Sequence, residues 1–335
     1  FEHREPDLVP IWCGASPEFW DKAKEELELG DEELRIRFGD DFRRVVAPYV
    51  ADDMASSPGN YITPFGIERE GIGYGQPTCN PLADASLKEV HDYPWPDPDK
   101  VNISTIRKEA MEYCDSYAIL GGDWTPFWHD MIDLFGMESL LIKMYTEKEI
   151  VKTATEYIVD YYLAVNQQLF SEAADLIDIF FIGNDFGSQS GCIMGEELFR
   201  EFILPDLKKF VDLGHDYQLK VMLHCCGGFR EHIPDLIEIG MDGIHAIQPS
   251  CAGMDLRELK SDFGEKILFN GCIDSQRVLI EGNVDVVRKK TIETLEIMMP
   301  GGGFVAGASH DYMLEETPVM NVLTMFDTIQ EFGKY

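Results

Sequence analysis

Positive charge is scarce in this chain. Its 335 residues carry 28 Lys+Arg against 61 Asp+Glu, a formal net charge of -33, which repels phosphate backbones and anionic lipid and argues against nucleic-acid or membrane partners. No apolar run approaches the ~18 residues of a membrane span, and the sequence opens on no charged-then-apolar leader. The phosphate-binding pattern Gly-x-Gly-x-x-Gly is missing after every strand-like run, which weakens the case for a doubly wound nucleotide-binding sheet. Gly71-Ile72-Gly73-Tyr74-Gly75 has the wrong spacing and no helix behind it, so it reads as a turn. No second compositional regime marks a second domain. The eight cysteines are dispersed through a large chain, the usage of reduced thiols in a cytoplasmic protein.

What is present is a rhythm. With 45% hydrophobic and 11% aromatic residues the chain can bury a large core. Apolar strand-like runs at 117–121, 176–182, 220–223, 243–247, 267–270 and 304–306 are each followed by helix-patterned text. An earlier run, 9–12, precedes a helix start with serine as cap, proline at the first position and acid in the first turn, Ser16-Pro17-Glu18. Strand–helix alternation implies right-handed crossovers and a parallel sheet. The expected fold is α/β, one (β/α)8 TIM barrel over 1–335. An irregular insertion around 35–76 hides the eighth strand and lies over the mouth as a hairpin. An open doubly wound sheet is the runner-up.

In such a fold the loops leaving the carboxyl ends of the strands surround the main concavity. Those positions carry Trp124, Phe127 and Trp128, then Asn184 and Asp185, then His224, Cys225 and Cys226, then Gln248 and Ser250, then Cys272 and Asp274, then Ser309, His310, Asp311 and Tyr312. Alternate residues of an extended end point the same way, so His224 and Cys226 form a two-ligand seed for zinc while Cys225 faces the core. A third ligand has to come from another strand end: His310 first, with Cys272 and Asp185 behind it. Asp185 and His310 are candidate proton-handling groups, Asp185 having a turn cap as its competing reading. Asn184, Gln248, Ser250 and Asp274 are read as cofactor-facing polar groups or loop scaffolding. Trp124, Phe127, Trp128 and Tyr312 form an aromatic wall for a ring, or packing under the rim. His129 reads as surface or structural, and His245 as core.

At these strand ends the chain resembles the uroporphyrinogen decarboxylase superfamily, and within it the cobalamin-dependent methyltransferase branch. The resemblance rests on Gly121-Gly122-Asp123-Trp124-Thr125, on Asp185-Phe186-Gly187-Ser188-Gln189 with Phe199-Arg200-Glu201-Phe202, and on His224-Cys225-Cys226-Gly227. It continues in Ile233-Pro234-Asp235-Leu236, Gln248-Pro249-Ser250, Gly271-Cys272-Ile273-Asp274, Gly301-Gly302-Gly303-Phe304 and Thr317-Pro318. It implies a (β/α)8 barrel whose mouth meets a tetrapyrrole. The decarboxylases carry an arginine-rich first motif, which here reads Val9-Pro10-Ile11-Trp12-Cys13-Gly14 without arginine, so uroporphyrinogen is not the expected substrate. The thiol-methylating members hold zinc through the His-x-Cys pair and a distant cysteine, in whose place this chain has Ser309-His310. The resemblance therefore implies a methyltransferase taking a methyl group from a small-molecule donor, in first place a methoxylated aromatic (O-demethylation), and passing it to the cobalt of a corrinoid protein. Zinc would sit on His224, Cys226 and His310. A decarboxylase of another carboxylated substrate and a non-catalytic corrinoid-binding barrel are the alternatives, and the oligomeric state stays open, a homodimer included.

Overall fold

Strands that are apolar at every position have to be covered on both faces. The computed structural model describes residues 1–49, 56–57, 60–71 and 75–335. In it seven strands form one parallel sheet in chain order: β1 (Phe42–Arg44), β2 (Ala118–Gly121), β3 (Ile179–Gly183), β4 (Lys220–His224), β5 (Gly243–Ile247), β6 (Leu268–Ile273) and β7 (Phe304–Ala308). Every residue of β3, β5, β6 and β7 is buried. Two apolar clusters result. One fills the layer between sheet and helices and includes Phe127, Phe180, Phe210 and Phe326; the other, with Trp12, Phe42, Leu120, Phe181, Met222 and Val305, fills the inside of the curl.

The segment ahead of β1 joins the two edges of the sheet. Trp12 N donates to Ala306 O at 2.9 Å and Ala306 N to Pro10 O at 2.8 Å on β7, while Asp41 N, next to β1, donates to Ile11 O at 3.0 Å. Pairing there is a single parallel bridge, Ile11 with Ala306, because Pro10 has no N–H to extend the ladder. The strand expected within 35–76 is thus β1, and the one expected at 9–12 is this bridge. Among the described residues of that stretch, short antiparallel pairings join Ser56–Ser57, Asn60–Ile62, Glu68–Glu70 and Gln76–Pro77. Residues 72–74 of the expected glycine turn lie outside the described ones.

Register places the chemistry. His224, the last residue of β4, pairs with Gly183 on β3 and His245 on β5, all toward the carboxyl end of the sheet. Outside, Ser16 caps the helix Pro17–Leu27 as its sequence predicted, accepting from Phe19 N at 3.1 Å. Among the described residues no helix is long and apolar enough to cross a membrane.

Candidate active site

The level set by His224 needs space, and Gly183 provides it. A Cβ at Gly183 would come within 2.0 Å of the Trp124 indole. Its absence lets that ring lie 5.2 Å from the His224 ring and 5.1 Å from Phe181. Asn184 holds the loop that carries Trp124: its Oδ1 accepts from Trp128 N at 2.9 Å and its Nδ2 donates to Thr125 O at 3.0 Å. Both ends of this buried amide are engaged by the loop, leaving it the scaffolding side of its two readings. Phe127 and Trp128 do not join Trp124. They open the helix Phe127–Phe135 and are buried in the sheet–helix layer, Phe127 against Phe210 at 5.9 Å, because the helix turns that face away from the lumen.

Three side chains from two strand ends meet at the end of β4. The Cys226 N–H donates to Asp185 Oδ1 at 2.7 Å. His224 Nε2 lies 3.3 Å from Cys226 Sγ and 3.5 Å from Asp185 Oδ1. Donor atoms of these three residues all fall within 4.8 Å of one another, as do those of an overlapping buried group, His224, His245 and Asp311. A tetrahedral ion with legs of 2.0–2.3 Å has ligand–ligand edges of about 3.3–3.8 Å. In the first group the two edges from His224, 3.3 and 3.5 Å, match and the third is within 4.8 Å, so its donor set suits zinc with one position left open.

His310 enters neither group. Its Nδ1 accepts from Tyr312 N at 3.1 Å, because the turn after β7 folds the ring back on its own loop. There it borders a cavity of about 180 Å³ together with Gln248, Ser250, Asp274 and Tyr312. Asp185, ranked behind His310 from sequence, is what the geometry brings to His224 and Cys226; Cys272 is buried and belongs to neither group. Gln248 Oε1 accepts from Gly227 N at 3.1 Å, steadying the loop after Cys226. Asp274 caps the helical turn Ser275–Ile280, accepting from Gln276 N and Arg277 N at 2.9 Å. Cys225 is buried, its sulfur meeting Phe186 N at 3.3 Å, facing away as expected.

Two partners escaped the sequence. His129 Nε2 lies 3.4 Å from Asp185 Oδ2, and His245, expected as core, puts Nδ1 3.0 Å from His224 Nδ1. The signal for His245 was its place on the strand beside β4; His129 had only its place in the first helical turn after a strand-end loop. Burial drives the Asp185 carboxyl up, but the His129 hydrogen bond, the His224 and His129 charges and the Cys226 N–H together hold it well below the usual carboxylate range. Burial lowers His224, opposed by Asp185 and Asp311. Burial and then the Asp185 charge push the Cys226 thiol up; a bound cation reverses that balance. An opening of about 1440 Å³ lies at the other end of the strands, against Phe42, Ala118, Ile179, Lys220 and Leu268, away from all of these groups.

The arrangement has relatives. A family model described as uroporphyrinogen decarboxylase (URO-D) matches residues 74–332. The chain belongs to the uroporphyrinogen decarboxylase family. This family member is similar to methylcobamide:CoM methyltransferase MtbA of Methanosarcina acetivorans, with 24% identity over 208 residues, 61% of this chain and 58% of that protein. It is similar also to the protein of the same name from Methanosarcina mazei, with 23% identity over 216 residues, 62% of this chain and 60% of that protein. The matches thus span about three-fifths of the relatives' own length. A solved methyltransferase from Methanosarcina mazei superposes with a TM-score of 0.65 at 17% identity, covering 98% of this chain and 95% of that one. That likeness establishes a shared fold for the family member, a curled parallel sheet wrapped by helices.

Proposed function

We propose that this decarboxylase-family chain is a corrinoid-dependent methyltransferase on a single (β/α)8 barrel closed through residues 10–12. Its reaction would move a methyl group from a small donor, in first place a methoxylated aromatic, to the cobalt of a corrinoid on a separate protein. The observation that carries the reading is the trio Asp185, His224 and Cys226 beside the half-buried Trp124 ring. Zinc held by that trio would supply Lewis acidity toward the departing oxygen. A carboxylate in place of a second thiolate makes a harder ligand set, which suits an ether oxygen better than thiol activation. The two relatives named methylcobamide:CoM methyltransferase support the methyl-transfer class.

The chain's own residues then have distinct tasks. Trp124 offers a flat surface on which a ring stacks beside His224. His245 fixes the orientation of His224 through Nδ1, and His129 does the same for Asp185. Gln248, Ser250, Asp274 and Tyr312 border the neighbouring cavity, where the edge of a corrinoid would approach. His310, on that same cavity, is positioned as a polar wall group rather than a ligand. A decarboxylase of another carboxylated substrate is the second reading, favoured by the Arg44 guanidinium standing over Trp124.

The test is metal analysis of the purified chain together with methyl transfer from methoxybenzene to free cob(I)alamin. We expect about one zinc per chain, and in His224→Ala a loss of at least about 100-fold in zinc affinity and in transfer. Unchanged transfer in a folded His224→Ala protein removes the trio from the reaction. Carbon dioxide release from an aromatic acid without any methyl transfer favours the second reading.

A further inference from the structure

Arg44 stands at the carboxyl end of β1, where β-alternation puts it on the same inner side as Phe42. Its guanidinium carbon lies 5.0 Å from the Trp124 ring centre and 5.6 Å from that of Phe181. Among the described residues no carboxylate lies within 4.0 Å of it, although most other basic side chains of this acidic chain are paired. Asp123 is turned instead to the Trp124 N–H at 2.8 Å. Arg44 borders a cavity of about 480 Å³ with Trp12, Phe42, Leu120, Phe181 and Tyr312.

A second hydrogen-bond donor without a partner belongs to a residue that lines the same space. Trp12 is 94% buried and its Nε1 has no partner. A Cβ placed on Gly14, which also borders the cavity, would sit 3.1 Å from that nitrogen. The acids on the cavity are already held: Asp40 by Arg35 at 2.7 Å, Glu32 by Arg43 at 2.7 Å and Asp31 by Lys24 at 3.0 Å. Asp311 belongs to the buried group with His224 and His245. What the cavity lacks is an acceptor for a guanidinium and an indole N–H.

We infer that Arg44, with Trp12 Nε1 behind it, forms a subsite for an anionic oxyacid group, carboxylate or sulfonate, on the small-molecule substrate. Arginine suits this because its planar fork meets two oxygens at once, and the aromatic faces beneath it hold the fork without competing for its N–H groups. The spacing agrees with a single substrate reaching both places. Arg44 is 5.0 Å from Trp124, and Trp124 is 5.2 Å from His224, so guanidinium and imidazole are at most about 10 Å apart. An aromatic ring with an acid group at one end and a methoxy group at the other is about as long as that upper limit. The subsite deepens the proposed function and rests on it for the identity of the reacting end, but not for the binding of the anion.

Binding is therefore measured on the whole chain without corrinoid, by calorimetry and by quenching of tryptophan fluorescence. The ligands are 4-methoxybenzoate, 4-methoxybenzenesulfonate and the neutral isostere 4-methoxybenzamide. At least one of the two anions is expected to bind about tenfold or more tighter than the amide, and the two arms tell carboxylate from sulfonate. Arg44→Gln is expected to abolish that preference and Arg44→Lys to keep part of it, with near-ultraviolet circular dichroism confirming the fold. A wild-type chain that binds both anions no more tightly than the amide overturns the inference whatever the variants do; so does a preference that survives in Arg44→Gln. Methyl transfer from neutral methoxybenzene tests the chemistry separately, so the subsite and the reaction can fail independently.

Discussion

At the scale of single residues the site is a set of mutually restraining polar groups in a buried place. Asp185 receives the Cys226 N–H on one oxygen and faces His129 with the other, so the carboxylate cannot rotate away from His224. Asp185→Asn keeps an acceptor for the Cys226 N–H but removes the anionic oxygen. Competition with a chelator is expected to show zinc affinity falling by about 10- to 100-fold with little change in melting temperature; unchanged zinc affinity would remove Asp185 from the ligand set. A neighbouring carboxyl behaves in the opposite way. Burial pushes Asp130 up to about 7, against the hydrogen bond it accepts from Tyr162 Oη at 2.7 Å. The folded chain then holds a proton that the unfolded chain releases near pH 4, so this group's stabilising contribution is present below that point and is lost as pH rises toward 7. Asp130→Asn should match wild type at pH 4 and exceed it by roughly 2–4 kcal/mol at pH 8 in urea unfolding; a difference that does not grow with pH would contradict the assignment. Among these residues, the His224 and Cys226 pair was readable because period-two alternation at a strand end is local. His129 and the exclusion of His310 were not, since both depend on how a loop folds back across other strands.

At the scale of elements, strand ends set level and loops set reach. The six strands marked by apolar runs after residue 100 appear as β2 to β7, shifted by a few residues, because runs covered on both faces announce themselves in sequence. The start of the 176–182 run was misplaced: residues 174–176 form a short helical turn, and β3 begins at Ile179. β1 was not readable, since Phe42-Arg43-Arg44 is three residues long and two of them are charged; Arg43 points outward to Glu32, at 2.7 Å, and Arg44 inward. The loop from β2 to its helix is the element on which Trp124 depends, and Asn184 is its anchor. Asn184→Ala leaves the Trp128 N–H without its partner in a fully buried place and the Thr125 carbonyl with only the Phe127 N–H, at 2.9 Å. We expect a loss of about 1–3 kcal/mol in unfolding free energy and a shift in Trp124 emission, read by equilibrium urea titration with fluorescence. A destabilisation below about 0.5 kcal/mol would mean the loop is held by packing alone.

At the scale of the molecule the governing quantity is the charge of -33. Ion pairs are numerous on the surface, such as Arg107 with Asp175 at 2.8 Å and Lys208 with Asp212 at 2.7 Å, and added salt weakens each of them. Exposed pairs of this kind contribute only about 0–1 kcal/mol apiece. Acids outnumber bases by more than two to one, so most carboxylates have no base to themselves and meet other carboxylates as their mean environment. Repulsion summed over the whole surface therefore outweighs the pairs, and it opposes the compact state. Raising sodium chloride from 20 mM to 500 mM shrinks the screening length from about 20 Å to about 4 Å, which removes the long-range repulsion first and spares the contacts inside the curled sheet. The melting temperature is expected to rise over that interval at pH 8, and to rise much less at pH 5, where part of the surface is already protonated. A melting temperature that falls with salt at pH 8 would mean that local ion pairs, not the excess of acid, set the electrostatic balance of this fold.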